Sequence, residues 1–232
     1  MQTLTIKWTR FAVSLLVGLL GVGILLVVLA EFHEEIAEPF LTDLDLHIQS
    51  VVHGYTSPTL TSGMRGLTWM GSPTFLFASS TLIAGLLWWR RLYRDTVTFV
   101  AAMVGSGILM VVLKLYFHRT RPDVPWALAE EHSFSFPSGH SIFAVVLYGI
   151  LVFLRFQHLR HGWERVTVSV LAATFILGIG LSRIYLGVHY PSDVAAGYMV
   201  GCTWLVTVVL AEWGVGWMDR RNHRSGGGGI AK

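Results

Sequence analysis

The chain has 232 residues, of which 53% are hydrophobic and only 13% charged, about half of the roughly 25% charged that soluble domains carry. Its formal net charge is +3 with histidine neutral, and the basic residues stand in short groups between apolar runs, which argues against a nucleic-acid partner. Cys202 is the single cysteine, so no intrachain disulfide and no cysteine-based metal site can form.

A bilayer span takes about 20 apolar residues, and six segments qualify: Phe11 to Leu29, Ser72 to Trp89, Thr96 to Phe117, Pro137 to Leu154, Val166 to Tyr185 and Val194 to Trp213. The pattern predicts an all-α, six-transmembrane-helix bundle. Val28-Leu29-Ala30 resembles a signal-peptide cleavage site, but the apolar stretch before it exceeds the roughly 7–15 residues of a signal core, which favours an uncleaved helix. Between Glu31 and Met70, Leu44, Ile48 and Val51 recur at near-helical intervals among Asp43, Asp45, His47 and Gln49. That pattern predicts a short amphipathic helix at the membrane interface, covering the bundle or flanking a lipid entrance. With no repeat and no composition break, residues 1–224 read as one integral-membrane domain and 225–232 as a flexible C-terminal tail.

Basic residues orient the bundle. Lys7 and Arg10, then Arg90, Arg91 and Arg94, then Arg155, Arg160 and Arg165, and finally Arg220, Arg221 and Arg224 mark alternate ends of the spans. The positive-inside rule puts those ends, and both termini, in the cytoplasm of a multi-pass plasma (inner) membrane protein. Arg65, Lys114, Arg119, Arg121 and Arg183 fall on the opposite side, and three of them belong to compact polar clusters. All three clusters therefore face one extracytoplasmic compartment.

The first cluster is Lys114 with Arg121-Pro122. Seven residues is close to two helical turns, so a continuing helix would put both cations on one face, to grip an anion together, before Pro122 stops it. The second, Pro137-Ser138-Gly139-His140, reads as a helix start with Pro137 at its first position, leaving the N–H groups of Ser138, Gly139 and His140 open to an anion. The third is Ser182-Arg183 with His189 and Asp193. Asp193 can reach His189 across one turn, keep one ring nitrogen protonated and leave the other as an attacking lone pair. The bland readings are snorkelling cations, a helix cap and an acidic first turn; they account for single residues but not for the ensemble.

Lys114-x6-Arg121-Pro122, Pro137-Ser138-Gly139-His140 and Ser182-Arg183-x5-His189-x3-Asp193 together resemble the tripartite signature of the type-2 phosphatidic acid phosphatase superfamily, in order and in placement at the ends of the last four spans. The resemblance implies a membrane lipid phosphatase that works without a metal or other cofactor, through a phosphohistidine. In that scheme His189 attacks phosphorus, Asp193 holds and polarises it, and His140 protonates the leaving oxygen and then activates water. Lys114, Arg121, Ser138, Gly139 and Arg183 would surround the phosphoryl oxygens, and Ser182 would support its helix end. The expected partners are a lipid phosphate and the bilayer. Undecaprenyl diphosphate leads among substrates, followed by phosphatidylglycerophosphate and phosphatidate. A lipid phosphotransferase, a noncatalytic lipid transporter or scaffold and a haloperoxidase are the alternatives.

Other polar residues fall outside the signature. His118 and His132 lie near the site without belonging to it, and Asp123, Glu130 and Glu131 lack ligand spacing and read as a solvated loop. Trp126 fits either a substrate contact or a loop anchor.

Overall fold

The structure, a computed structural model, describes residues 16, 18–27, 29, 31, 39–156 and 158–226, with side chains up to residue 214. Residues 11–15, 17 and 28 of the expected first span and residues 227–232 lie outside the described residues. Eight helices are described: α1 (Gly18–Val27), then α2 (Pro39–His53), α3 (Pro58–Trp69), α4 (Pro73–Trp89), α5 (Tyr93–Phe117), α6 (Gly139–Phe156), α7 (Gly162–Tyr185) and α8 (Pro191–Gly226). No strand occurs among the described residues, in agreement with the all-α expectation.

Local chemistry sets the helix ends. Ser57 and Ser72 cap α3 and α4 by accepting the Leu60 and Phe75 N–H groups, each at 3.3 Å, and a proline follows each cap, where its missing N–H costs nothing. Glu164 closes a capping box at the start of α7, accepting the His161 N–H at 3.1 Å. α5 ends where the third span was expected to end, and the helix does not continue to Arg121. It stops at Phe117, where His118 turns left-handed (φ 47°), so Arg121 sits on the following loop and not two turns up the same helix. The fourth expected span starts later, at Gly139.

α5, α6, α7 and the Pro191–Gly214 part of α8 are each long and apolar enough to cross a membrane, and α3 with α4 forms a bent pair, 46° at the break, that passes the same test as a unit. This is an integral membrane protein. α6 is the central helix, packed on α5, α7 and α8. Its Ile142 joins Leu113, Phe117, Phe136, Ala196 and Val200 near the motif end, while Val146, Leu147 and Ile150 join Phe99, Ala102 and Val208 deeper in. Leu82, Val104, Ile108, Val170 and Leu177 point outward and exposed, as side chains against lipid tails must. Cys202 is exposed too. Helix approach depends on glycine at two points. A Cβ on Gly105 would lie 2.0 Å from the Trp204 ring, and one on Gly197 would lie 2.7 Å from the Ser138 carbonyl oxygen. The second contact seats α8 against the start of α6, which brings two of the three motifs together.

The short helix expected between Glu31 and Met70 is present as α2, but its polar side is the one that matters to the fold. Leu44, Ile48 and Val51 are exposed, whereas Asp45 and Gln49, one turn apart, are buried against the bundle. Trp126 stacks on His53 of α2 with ring centroids 4.9 Å apart, and so anchors the α5–α6 loop.

Candidate active site

The end of α5, the starts of α4 and α6, the segment leading into α8 and the α5–α6 loop converge on a cavity of about 480 Å³. Lys114, Arg121, Glu131, Gly139, His140 and His189 are among the residues of its polar part, and Leu76, Met110, Val111, Leu115 and Phe143 among those of its apolar part.

His189 precedes α8 by two residues and is 1% exposed. Its Nδ1 lies 3.2 Å from Asp193 Oδ2, the contact expected from the four-residue spacing. Its Nε2 faces Arg121, 3.2 Å from NH1. Asp193 is fully buried, and each of its oxygens has partners: Oδ2 accepts the Tyr190 N–H at 2.9 Å and the Ser135 hydroxyl, and Oδ1 accepts Arg119 NH1 at 2.8 Å. A carboxylate so supplied with donors stays ionised and keeps the facing ring nitrogen protonated. Burial pushes the His189 imidazole down to about 4, overcoming the upward pull of the Asp193 hydrogen bond and charge, with Arg121 and Arg183 adding to the depression. The ring is therefore neutral near pH 7, and its Nε2 lone pair points toward the cavity side.

Lys114 and Arg121 meet although no continuous helix carries them. Lys114 Nζ donates to Ser133 Oγ at 3.1 Å and to the Phe134 carbonyl, and Arg121 NH2 donates to the same Ser133 hydroxyl at 3.0 Å. Arg121 is further fixed by Nε to the Ser133 carbonyl and NH1 to the Val188 carbonyl, each at 2.7 Å. Two cations converging on one neutral oxygen form a place where an anionic oxygen would be held more strongly.

The second cluster is partly committed elsewhere. Ser138 is buried, its N–H donates to the Asp193 carbonyl at 3.0 Å, and its hydroxyl accepts the Ser141 N–H at 3.5 Å as a cap for α6. Gly139 and His140 reach the cavity wall, and Ser138 stands behind it. Arg183 is also buried: NH1 donates to Thr68 at 2.7 Å and NH2 to Glu131 at 2.6 Å. Ser182 returns its hydroxyl to the Ile179 carbonyl at 2.6 Å, which is helix packing.

Four residues of this constellation escaped the sequence reading. Glu131, read as solvated loop, pairs with Arg183 and lies 3.8 Å from Arg121. Burial works to raise its pKa, but the Arg183 charge and hydrogen bond, with Arg121 behind them, hold the carboxyl below its usual range. Ser135 bridges Asp193 and, at 3.4 Å, His189 Nδ1. Arg119 and Asp45 form the layer behind Asp193. The one available signal was charge, since an ion buried in the fold needs a partner. His132 lines the cavity, whereas His118 packs its ring on Phe134, centroids 4.5 Å apart.

The PAP2 superfamily model matches residues 95–217, which contain all three clusters. Phosphatidylglycerophosphatase B of Bacillus subtilis is 34% identical over 146 residues, 62% of this chain and 71% of that protein. Decaprenylphosphoryl-5-phosphoribose phosphatase of Mycobacterium tuberculosis is 31% identical over 153 residues, 63% of this chain and 77% of that protein. The crystal structure of a transmembrane PAP2-type phosphatidylglycerolphosphate phosphatase from Bacillus subtilis superposes with a TM-score of 0.72 at 29% identity, covering 84% of this chain and 94% of the other. With the motif residues gathered around one cavity and the match spanning more than half of its length, the chain belongs to the PAP2 superfamily.

Proposed function

We propose that this protein is an integral-membrane lipid phosphatase that cleaves a lipid phosphomonoester or diphosphate through a phosphohistidine. The observation that carries the reading is the cavity with its polar and apolar parts. In the polar part Lys114 and Arg121 converge beside the His189 Nε2 lone pair; Leu76, Met110, Val111, Leu115 and Phe143 are among the residues of the apolar part. A charged headgroup and an apolar tail need these two environments next to one another.

In the first step the His189 Nε2 lone pair attacks phosphorus as the bond to the leaving oxygen breaks, and His140 supplies a proton to that oxygen. Asp193 stabilises the cationic phosphohistidine through Nδ1–H. In the second step water attacks phosphorus, His140 accepts its proton, and the electron pair of the P–N bond returns to His189. Arg121, Lys114 and the Gly139 N–H hold the phosphoryl oxygens, and Arg183 and Ser138 support them from behind. An arriving anion competes for the Arg121 NH1 that faces Nε2, so substrate binding itself uncovers the nucleophile.

The chain is read as one domain with six spans, α1 being part of the first and the α3–α4 pair completing the second. By the positive-inside distribution the motif end is extracytoplasmic and both termini are cytoplasmic. An outward site suits regeneration of a carrier lipid, which makes undecaprenyl diphosphate the leading substrate. Phosphatidylglycerophosphate and phosphatidate follow, the former supported by the similarity to phosphatidylglycerophosphatase B. The deciding measurement is phosphate release by the purified protein from a panel of lipid mono- and diphosphates, beside His189→Ala. Activity on lipid phosphates that vanishes in the variant is expected; release that survives the substitution refutes the assignment.

A further inference from the structure

Arg119 is a buried cation between two buried carboxylates. Its NH1 donates to Asp193 Oδ1 at 2.8 Å and its NH2 to Asp45 Oδ2 at 3.0 Å; its side chain is 8% exposed and those of the two aspartates are at most 3% exposed. The guanidinium also lies 4.1 Å above the Tyr190 ring. Asp45 comes from α2, 147 residues before Ser192 in sequence, and accepts the Ser192 N–H at 2.9 Å and the Ser192 hydroxyl. It thus caps the start of α8 from another helix. One turn further along α2, Gln49 Nε2 donates to the His189 carbonyl at 3.2 Å. α2 therefore grips the backbone of His189 and the start of α8 at once.

We infer that Arg119 and Asp45 are positioning residues of the phosphoryl-transfer site: Arg119 fixes the plane of the Asp193 carboxylate behind His189, and Asp45 offsets the Arg119 charge. The inference rests on the proposed roles of His189 and Asp193.

Both halves follow from electrostatics. Arg119 alone would neutralise Asp193, and the phosphohistidine would form beside a net-neutral pair. With Asp45 the group of two anions and one cation carries −1, the same as an isolated Asp193, while the carboxylate is held by a donor that cannot lose its proton. Removing Asp45 therefore takes negative charge away from His189, and removing the Arg119 charge leaves more of it. The other charged or titratable groups facing the ring are Lys114 from α5, Arg121 and Glu131 from the loop, His140 from α6, Arg183 from α7 and Asp193 itself. None of these changes in the variants below.

The test uses the full chain in detergent, with ¹³C-labelled histidine and the His189 resonance assigned by its loss in His189→Gln. Asp45→Asn keeps the shape and an acceptor for Ser192, and should move the His189 titration to lower pH. Arg119→Gln should move it to higher pH. The double variant, again at −1, should return it toward the wild-type position although the bridge is gone. Each single variant should lose about tenfold or more in kcat with KM little changed, as displacement of a catalytic group does. A role limited to folding would lower yield or thermal stability without opposed shifts. Titrations that stay put, or move the same way in both single variants, overturn the inference. Should Arg119→Gln not fold, Asp45→Asn decides alone: a shift to lower pH supports the inference and an unmoved titration ends it. His189→Ala, run in parallel, separates the two readings, since activity surviving there condemns the nucleophile and not the residues behind it.

Discussion

Asp193→Asn is the substitution whose consequence can be worked out most fully from the geometry. The carboxylate presents two acceptors to a set of donors: Tyr190 N–H, the Ser135 hydroxyl and His189 Nδ1 at Oδ2, and Arg119 at Oδ1. An asparagine supplies one acceptor and one donor. With its oxygen at the Oδ2 position, the amide NH2 faces the Arg119 guanidinium, a donor against a cation at 2.8 Å. With the amide turned over, NH2 faces the Tyr190 N–H at 2.9 Å and draws His189 into the tautomer whose Nε2 carries the proton. The first orientation keeps a nucleophile beside an uncompensated charge; the second removes the nucleophile. Either leaves a buried donor unmatched, at about 1–3 kcal/mol, and loses the charge that stabilises the phosphohistidine. We expect kcat to fall about 10³–10⁴-fold, as when the carboxylate behind a catalytic histidine becomes an amide, equivalent to about 4–5.5 kcal/mol of barrier. KM should change little, because Lys114 and Arg121 are untouched. Rapid-quench trapping of acid-labile, base-stable phosphoprotein measures the affected step directly. A folded Asp193→Asn protein that forms the adduct within about tenfold of the wild-type rate would refute the orienting role, since tautomer control alone requires more than that.

His189→Ala should abolish both adduct and turnover, whereas His140→Ala should recover on substrates with a good leaving group such as p-nitrophenolate. General acid catalysis contributes about 10²–10⁴-fold and matters least when the leaving oxygen needs no proton; a His140 defect equal on all leaving groups contradicts its role. Hydrolysis should persist after exhaustive EDTA treatment, because Lys114 and Arg121 supply the cationic clamp; loss of activity restored by a divalent ion would reverse this. Vanadate should compete with substrate for the same clamp, and purely noncompetitive inhibition would place its site elsewhere. For sidedness, Asp123→Cys should react with an impermeant thiol reagent on intact cells and Arg160→Cys only after the membrane is opened, both in a Cys202→Ser background. The opposite pattern would put the site in the cytoplasm.

The sequence by itself determined the membrane setting, the helical class and the motif residues on which the proposed chemistry rests. Apolar run length is a local quantity, and a lipid solvent leaves helices as the ordinary way to satisfy the backbone of such runs. The His189–Asp193 contact was legible for the same reason, because four residues at a helix start fix a distance without help from the rest of the fold. Tertiary structure decided the rest. Lys114 and Arg121 meet through Ser133 on a folded-back loop, because α5 ends at Phe117 and spacing along a helix no longer governs them. Ser138 turned out to cap α6 and bind the α8 backbone, a commitment set by the close approach at Gly197. Arg119, Ser135 and Glu131 carry no periodic or motif signal, and the helical pattern around Asp45 does not say what it faces. Their charges and hydroxyls acquire a role only when α2 and the α5–α6 loop are laid against the start of α8, since buried charge must find its partner in space and not in sequence.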